Sequence, residues 1–232
     1  MSSISEKISQ AARLIAHAKH LVVFTGAGIS TESGLPDYRG PDGVWTRRDK
    51  GLPPPKSRRI DQVSPNSAHR ALVELQNHGK LGFLISQNVD SLHLKSGIRP
   101  ELLSELHGNC LRSRCIACEV TFPRDKTPKL CQCGGEQFKS SVINFGDNLP
   151  TADFDSAWKH SERADVYLVI GSTLLVTPAS DLPAAALERG ALLIILNLGE
   201  TPLDARATLH IKGKAGELLP RIVNEALSSL VP

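Results

Sequence analysis

Two groups of residues in this chain have types and spacing that could do chemistry. The first is a glycine turn. Leu21-Val22-Val23-Phe24 is an apolar, strand-like run that leads straight into Gly26-Ala27-Gly28. Main-chain amides at a turn between strand and helix, with the helix dipole behind them, can face a pyrophosphate. The third glycine falls at Gly34, too late for the dinucleotide fingerprint G-x-G-x-x-G. No acidic residue ends a second strand to grip a ribose, because Asp42 and Asp49 lie in a proline-rich loop. The turn instead leads to Pro36-Asp37-Tyr38-Arg39-Gly40, an aromatic ring and a guanidinium brought back over the same place. That arrangement suits a cofactor that is covered and cut better than one that shuttles hydride.

The second group is Cys115-Ile116-Ala117-Cys118, then twelve residues, then Cys131-Gln132-Cys133-Gly134-Gly135. Four thiolates in two short turns suit tetrahedral zinc, and the glycines after Cys133 permit a tight turn. With four protein ligands no coordination position stays open, so the metal would be structural. The second pair is C-x-C rather than C-x2-C, which leaves Cys110 as a possible substitute ligand. Five cysteines, an odd number, in a chain whose first residues carry no signal peptide point to metal rather than disulfides.

These residues need elements to position them. Ile4, Ile8, Ala11, Ala12 and Ile15 keep a helical period, and Ser3-x-x-Glu6 reads as a capping box. Leu21–Thr25, Leu81–Ser86, Val166–Ile170 and Leu192–Leu196 are strand-sized apolar runs. Between them lie a helix opened by Ser64-Pro65 with Ala68, Leu72 and Leu75 on its face and Gly79 at its end, and a helix over Ser180–Arg189 closed by Gly190. A last helix spans Glu217–Leu230. Buried strands alternating with amphipathic helices predict an α/β fold: a Rossmann-like parallel sheet with helices on both faces. Ligands of such sheets sit at the carboxyl ends of the strands, where Gly26–Ser30, Ser86–Asp90, Gly171–Thr173 and Asn197 fall. The predicted division is 1–108 with 142–232 as the sheet domain and 109–141 as an inserted zinc-binding module. Residues 40–63, with Pro53-Pro54-Pro55 and six basic residues, read as a long mobile loop.

The bulk numbers agree with one globular domain plus an insert. The chain has 232 residues, 41% hydrophobic and 22% charged, with a formal charge of +3. No apolar run approaches the roughly eighteen residues of a membrane span, so a cytoplasmic protein is expected, with a nuclear one compatible as well. The slight charge demands no nucleic acid.

GAGISTESGLPDYRG (26–40), QNVDSLH (87–93), LHGN (106–109), the cysteine pairs, FGD (145–147), GSTLLVTPA (171–179) and LNLG (196–199) together resemble the sirtuin family of NAD-dependent protein deacylases. The motifs run in family order and cover nearly the whole chain. The stretches Gly40–Thr46 and Phe145–Pro150 are similar to the branch that includes certain nuclear mammalian sirtuins.

The resemblance implies cleavage of the nicotinamide–ribose bond of NAD, consumed as co-substrate, and transfer of an acyl group from lysine to ADP-ribose. It implies that Gly26, Ala27, Gly28 and Thr31 cradle phosphates while Tyr38, Arg39 and Trp45 close over the ribose. Gln87 and Asn88 would hold the nicotinamide ribose, Asn88 among the catalytic groups, and Asp90 would meet the carboxamide. Gly171, Ser172, Thr173, Asn197, Gly199 and Ala215 would hold the adenosine half. His107 would be the general base, a role that an ordinary histidine pKa of about 6.5 matches near neutral pH. His69 and His93 would serve structure, and His17, His20, His78, His160 and His210, outside every motif, would lie at the surface. An acylated-lysine peptide would enter as an extended strand between Phe145-Gly146-Asp147 and Val176–Ala179, its acyl stem near Ile143 and Phe145. Three positions depart from the family pattern: Ser91 replaces a usual Gly, Asp147 a usual Glu, and Gly171-Ser172-Thr173 reverses the usual Thr-Ser order. The Tyr-x-x-Arg pair that binds acidic acyl groups in some members has no counterpart, so neutral acyl groups are expected. Mono-ADP-ribosyl transfer to protein is an alternative with the same bond cleavage. A non-catalytic NAD-sensing module is another, and a nucleic-acid-binding zinc knuckle is the weakest, since aromatic residues for base stacking are scarce.

Overall fold

The structure, a computed structural model, describes residues 3–230, so the outermost ends of the predicted sheet domain (1–2 and 231–232) lie outside the described residues. It opens with helix α1 (Ile4–His17), where Ser3 and Glu6 form the expected capping box. Strand β1 (Leu21–Thr25) then runs into a tight helical turn over Ala27–Ser33. Residues 40–63 are not one loop: they contain helix α2 (Val44–Asp49) and a turn over Ile60–Gln62. Main-chain bonds from Val44 to the Asp37 carbonyl and from Trp45 to the Tyr38 carbonyl, both 2.9 Å, fold this segment back onto the chain before it. Its proline run had masked the short helix. Helix α3 (Ser67–Asn77), strand β2 (Leu81–Ser86), helix α4 (Leu92–Ser96) and strand β3 (Leu103–Glu105) come next.

Strands β4 (Arg112–Cys115), β5 (Thr121–Pro123) and β6 (Phe138–Ser140) form a small antiparallel sheet in the order β5-β4-β6. The chain then returns through helix α5 (Thr151–Arg163), strand β7 (Val166–Ile170), helix α6 (Asp181–Glu188), strand β8 (Leu192–Asn197), strand β9 (Leu209–Lys212) and helix α7 (Ala215–Ser228).

The main sheet has six parallel strands in the order β3-β2-β1-β7-β8-β9. Alternation explains why its central strands are apolar throughout. Leu21, Val23, Leu168 and Ile194 face one layer with α1, α3 and α7, while Val22, Phe24, Tyr167 and Ile195 face another with α5 and α6. Both faces are thus covered, as parallel sheets require. The strand order reverses between β1 and β7, a switch point beyond whose carboxyl ends a crevice must open.

Helix α5 and the edge strands β3 and β9 carry too few apolar residues to stand out in the sequence. Helix α5 buries only Ala157 and Ser161. It also overturns part of the histidine expectation. The His160 ring stacks on Phe83 at 3.9 Å between centroids and shares a 2.9 Å hydrogen bond with His20. His20, His160 and His210 are half-buried, whereas His17 and His78 are exposed. Among the described residues no helix is long and apolar enough to cross a membrane.

Candidate active site

The crevice at the switch point is a cleft of about 1170 Å³. Every predicted cofactor and substrate residue lines it, from Gly26, Ala27, Gly28 and Thr31 at its floor to Gly199 and Ala215 at its far end.

The floor is a crossing of two backbones. Gly28 donates its amide to the Gly171 carbonyl at 2.8 Å, and Gly26 donates to the Ile170 carbonyl at 3.0 Å. A Cβ on Gly28 would lie 2.7 Å from Gly171 Cα, and one on Gly171 would collide with the Ile29 nitrogen. Gly171 also has φ of +61°, a conformation that favours glycine. Glycine at both positions thus lets the β1 and β7 loops touch. The same bonds mean that the Gly26 and Gly28 amides are already engaged. These glycines shape the floor rather than supply free donors.

Beyond the floor, buried polar side chains interlock. Asn88 donates through Nδ2 to the Gly26 carbonyl at 3.2 Å and to Ser30 Oγ at 3.3 Å. Ser30 in turn donates to Asp90 Oδ2 at 2.6 Å, and Asp90 Oδ1 accepts the Leu92 amide at 2.9 Å. Ser30 was not among the predicted residues. Its signal was present, since it stands inside GAGIS, but nothing local shows that it meets a carboxylate sixty positions later. Ser172 donates to Gln87 Oε1 at 2.7 Å, and Asn197 donates to the Ser172 and Gly199 carbonyls at 3.1 Å each. Ser91, where the resemblance implies glycine, adopts φ of +63°, the left-handed region.

His107 enters the cleft from the loop after β3. Its Nδ1 lies 2.9 Å from the Gln87 carbonyl. A carbonyl only accepts, so Nδ1 carries the hydrogen and Nε2 is left with its lone pair. Burial lowers the His107 pKa from 6.5, against the raising effect of that bond, which keeps the ring neutral near pH 7. Such a ring can take a proton.

The cover is aromatic. The Arg39 guanidinium lies 4.2 Å over the Trp45 ring, Tyr38 packs on Trp45 with ring centroids 5.1 Å apart, and Phe145 meets Trp45 at 5.5 Å. Phe145 itself is 78% exposed. The Ile143 amide donates to the His107 carbonyl at 2.9 Å, so the segment leading to Phe145 runs directly past the histidine. Val176 and Gly146 line the same opening.

The four cysteines converge as expected. Their Sγ atoms all lie within 4.8 Å of one another, with Cys115 to Cys133 at 3.7 Å and Cys118 to Cys131 at 3.6 Å. Tetrahedral zinc with sulfur at about 2.3 Å requires edges of about 3.8 Å, so the set fits that ion. A Cβ on Gly135 would lie 2.8 Å from Cys115 Sγ, which accounts for the second glycine after Cys133. Cys110 is not part of the cluster and cannot replace a member. Its amide donates instead to the Val89 carbonyl.

A Rossmann-like sheet with a dinucleotide-sized cleft at its switch point and a four-cysteine module beside it defines a class of nucleotide-binding proteins. Similarity to known proteins narrows it. Residues 52–178 match the model of the Sir2 family. The chain is 42% identical over 239 residues to the NAD-dependent protein deacetylase SRT1 of Arabidopsis thaliana, covering 97% of this chain and 50% of that protein. It is 37% identical over 246 residues to an NAD-dependent protein deacylase of Pyrococcus abyssi, covering 94% of this chain and 97% of that protein. A solved complex of a Sir2 homologue with NAD superimposes with a TM-score of 0.79 at 36% identity, over 95% of this chain and 94% of that one. The chain belongs to the Sir2 family. It spans about half the length of the plant relatives it matches.

Proposed function

We propose that the protein is an NAD-dependent protein-lysine deacylase acting on acylated-lysine peptides. The observation that carries this reading is His107, held by the Gln87 carbonyl with Nε2 unprotonated, in the same cleft as the Asn88–Ser30–Asp90 cluster. The residues fit the cofactor: glycine at 28 and 171 lets the β1 and β7 loops meet as the floor, and polar side chains line both halves of a cleft of about 1170 Å³. NAD supplies the bond that is broken and the ADP-ribose that accepts the acyl group. Gln87 and Asn88 orient the ribose beside His107, and Asp90 faces the carboxamide. His107 Nε2 accepts the proton of a ribose hydroxyl. Tyr38, Arg39 and Trp45 exclude water from the reacting carbon, and the apolar walls at Ile143 and Phe145 take the acyl stem while Gly146 and Val176 flank the peptide main chain. The four cysteines hold one structural zinc ion.

No tyrosine lies between residues 44 and 63, so no Tyr-x-x-Arg pair reaches the acyl end. Acetyl peptides should be turned over and succinyl peptides poorly. The deciding assay incubates the zinc-loaded protein with NAD and acetyl-lysine peptide and measures nicotinamide, deacylated peptide and O-acetyl-ADP-ribose. His107→Ala should abolish turnover while NAD still binds. Intact NAD with every acylated peptide offered overturns the proposal, and ADP-ribosylated protein in place of O-acyl-ADP-ribose indicates mono-ADP-ribosyl transfer instead.

A further inference from the structure

The tight turn that presents His107 is closed by a carboxylate–amide clasp. Glu105, the last residue of β3, accepts Asn109 Nδ2 through both carboxylate oxygens, at 2.8 and 3.1 Å. Gly108 donates its amide to the Glu105 carbonyl at 2.9 Å, which completes the turn. Gly108 has φ of +74°, and a Cβ there would collide with the Ser141 carbonyl, so the turn leaves no slack on that side.

Asn109 is 1% exposed and every polar group it carries is used. Its amide donates to Ser141 Oγ at 3.1 Å, its carbonyl accepts the Ser141 hydroxyl at 2.7 Å, and its Oδ1 accepts the Leu111 amide at 2.9 Å. Among the described residues only Glu105 accepts from Asn109 Nδ2, and without it a buried donor is left unpaired.

An ionised carboxylate is an expensive choice for this position. Burial pushes the Glu105 pKa up to about 7, with Asp153 and Asp90 adding to the rise and the Asn109 bond and Arg112 opposing it. Asp153 stands close because its Oδ1 accepts the Glu105 amide at 3.2 Å. An apolar residue would fill the space without this cost, so the two bonds to Asn109 are what the carboxylate contributes.

We propose that Glu105 is a positioning residue for His107: by clasping Asn109 it sets the turn 105–109 so that His107 keeps Nδ1 on the Gln87 carbonyl and Nε2 toward the cleft. The inference rests on the role given to His107 in the proposed reaction, and it extends the site by a residue that does not line the cleft.

Three variants test it. Glu105→Ala removes the acceptor, Glu105→Gln keeps one acceptor oxygen without charge, and Asn109→Asp keeps the bond from Leu111 but sets a carboxylate against a carboxylate. Glu105→Ala should lower kcat by roughly tenfold to a hundredfold, the range expected for a misplaced catalytic group, with the peptide KM and zinc content unchanged. Glu105→Gln should restore most of that loss. Asn109→Asp should be impaired above neutral pH, and its activity relative to wild type should rise as pH falls and the pair shares a proton, as two adjacent carboxylates do. A side chain that merely fills space predicts no such recovery.

The second readout needs no turnover. In protein labelled with 15N-histidine, a hydrogen-bonded His107 Nδ1–H resonance, assigned by its loss in His107→Ala, should be present in wild type and Glu105→Gln and lost in Glu105→Ala. If wild type consumes no NAD, the proposed reaction fails while this resonance still decides the clasp. Should Glu105→Ala fail to fold, Asn109→Asp decides by its pH-dependent ratio to wild type. Retention of the resonance in Glu105→Ala, or an Asn109→Asp ratio that is independent of pH, overturns the inference.

Discussion

At the scale of single residues, the cleft depends on where side chains are absent and on which nitrogen carries a proton. Gly28 and Gly171 touch through their backbones, so any Cβ at Gly28 meets main chain that has nowhere to go. Gly28→Ala should therefore destabilise the protein by about 1–3 kcal/mol, the usual cost of overpacking, and weaken NAD binding as well. Denaturant midpoints and NAD titration measure the two effects separately. Ser91 is the opposite case, because φ of +63° suits glycine better than serine. Ser91→Gly should gain about 1 kcal/mol or less, since relief of left-handed strain is offset by the greater freedom of glycine in the unfolded chain. A loss of stability in denaturant unfolding would show that the serine side chain contributes more than its backbone costs. For His107 the sign follows from burial. Its pKa lies below 6.5, so the neutral base persists to lower pH than a free histidine would allow. The acid limb of kcat/KM should fall below that value, and a limb above it would contradict the assigned environment.

At the scale of elements, the cysteine sheet and the loop that carries His107 are one mechanical unit. β4 carries Cys115, and the residue after β6, Ser141, donates its amide to the Arg112 carbonyl and shares two bonds with Asn109. Two residues further on, Ile143 holds the His107 carbonyl. Removing zinc should loosen β4–β6 and, through Ser141, the support of His107. Chelation should thus abolish deacylation well before it abolishes NAD binding, because Gly26–Thr31 follows β1 and Asn197 ends β8 of the main sheet, away from the cysteine sheet. Restored turnover on adding zinc checks the order of loss. An apo protein that keeps full activity would show that the two elements are uncoupled.

At the scale of the whole molecule, buried histidines set the response to acid. Burial lowers His69 to about 3, with the His93 charge adding to the effect, and lowers His93 to about 4. Burial also lowers His160 to about 4, with help from His20 and Arg163. Each is neutral when folded and has an ordinary value of 6.5 when unfolded. The stability they contribute is complete above 6.5 and drains away as pH falls toward 4. Glu105 works in the other direction: with a raised pKa of about 7, its contribution is full below 4.5 and lost as pH rises through 7. His20 and His107, also lowered by burial, act with these three, and Asp37 and Asp153, raised by burial, act with Glu105. Five histidines against three carboxylates predict a net loss of Tm on going from about pH 7 to about pH 5. His160→Gln should flatten that slope, and an unchanged slope would mean that His160 titrates normally in the fold.

The amino-acid sequence by itself determined what consecutive residues can specify. Apolar runs marked the four central strands, a capping box started α1, and a glycine turn and two cysteine pairs announced a nucleotide floor and a metal knuckle. It also marked His107, once LHGN was placed beside the other motifs. Tertiary structure alone decided the rest. It set Ser30 against Asp90, stacked His160 between Phe83 and His20, turned the proline-rich segment into a helix-bearing cover, and excluded Cys110 from the metal cluster. It also revealed α5, whose polar composition hides its buried side. The division has a physical cause. Periodicity and spacing are properties of neighbouring residues, whereas burial, proton placement and side-chain pairing depend on which distant segments the parallel sheet brings side by side.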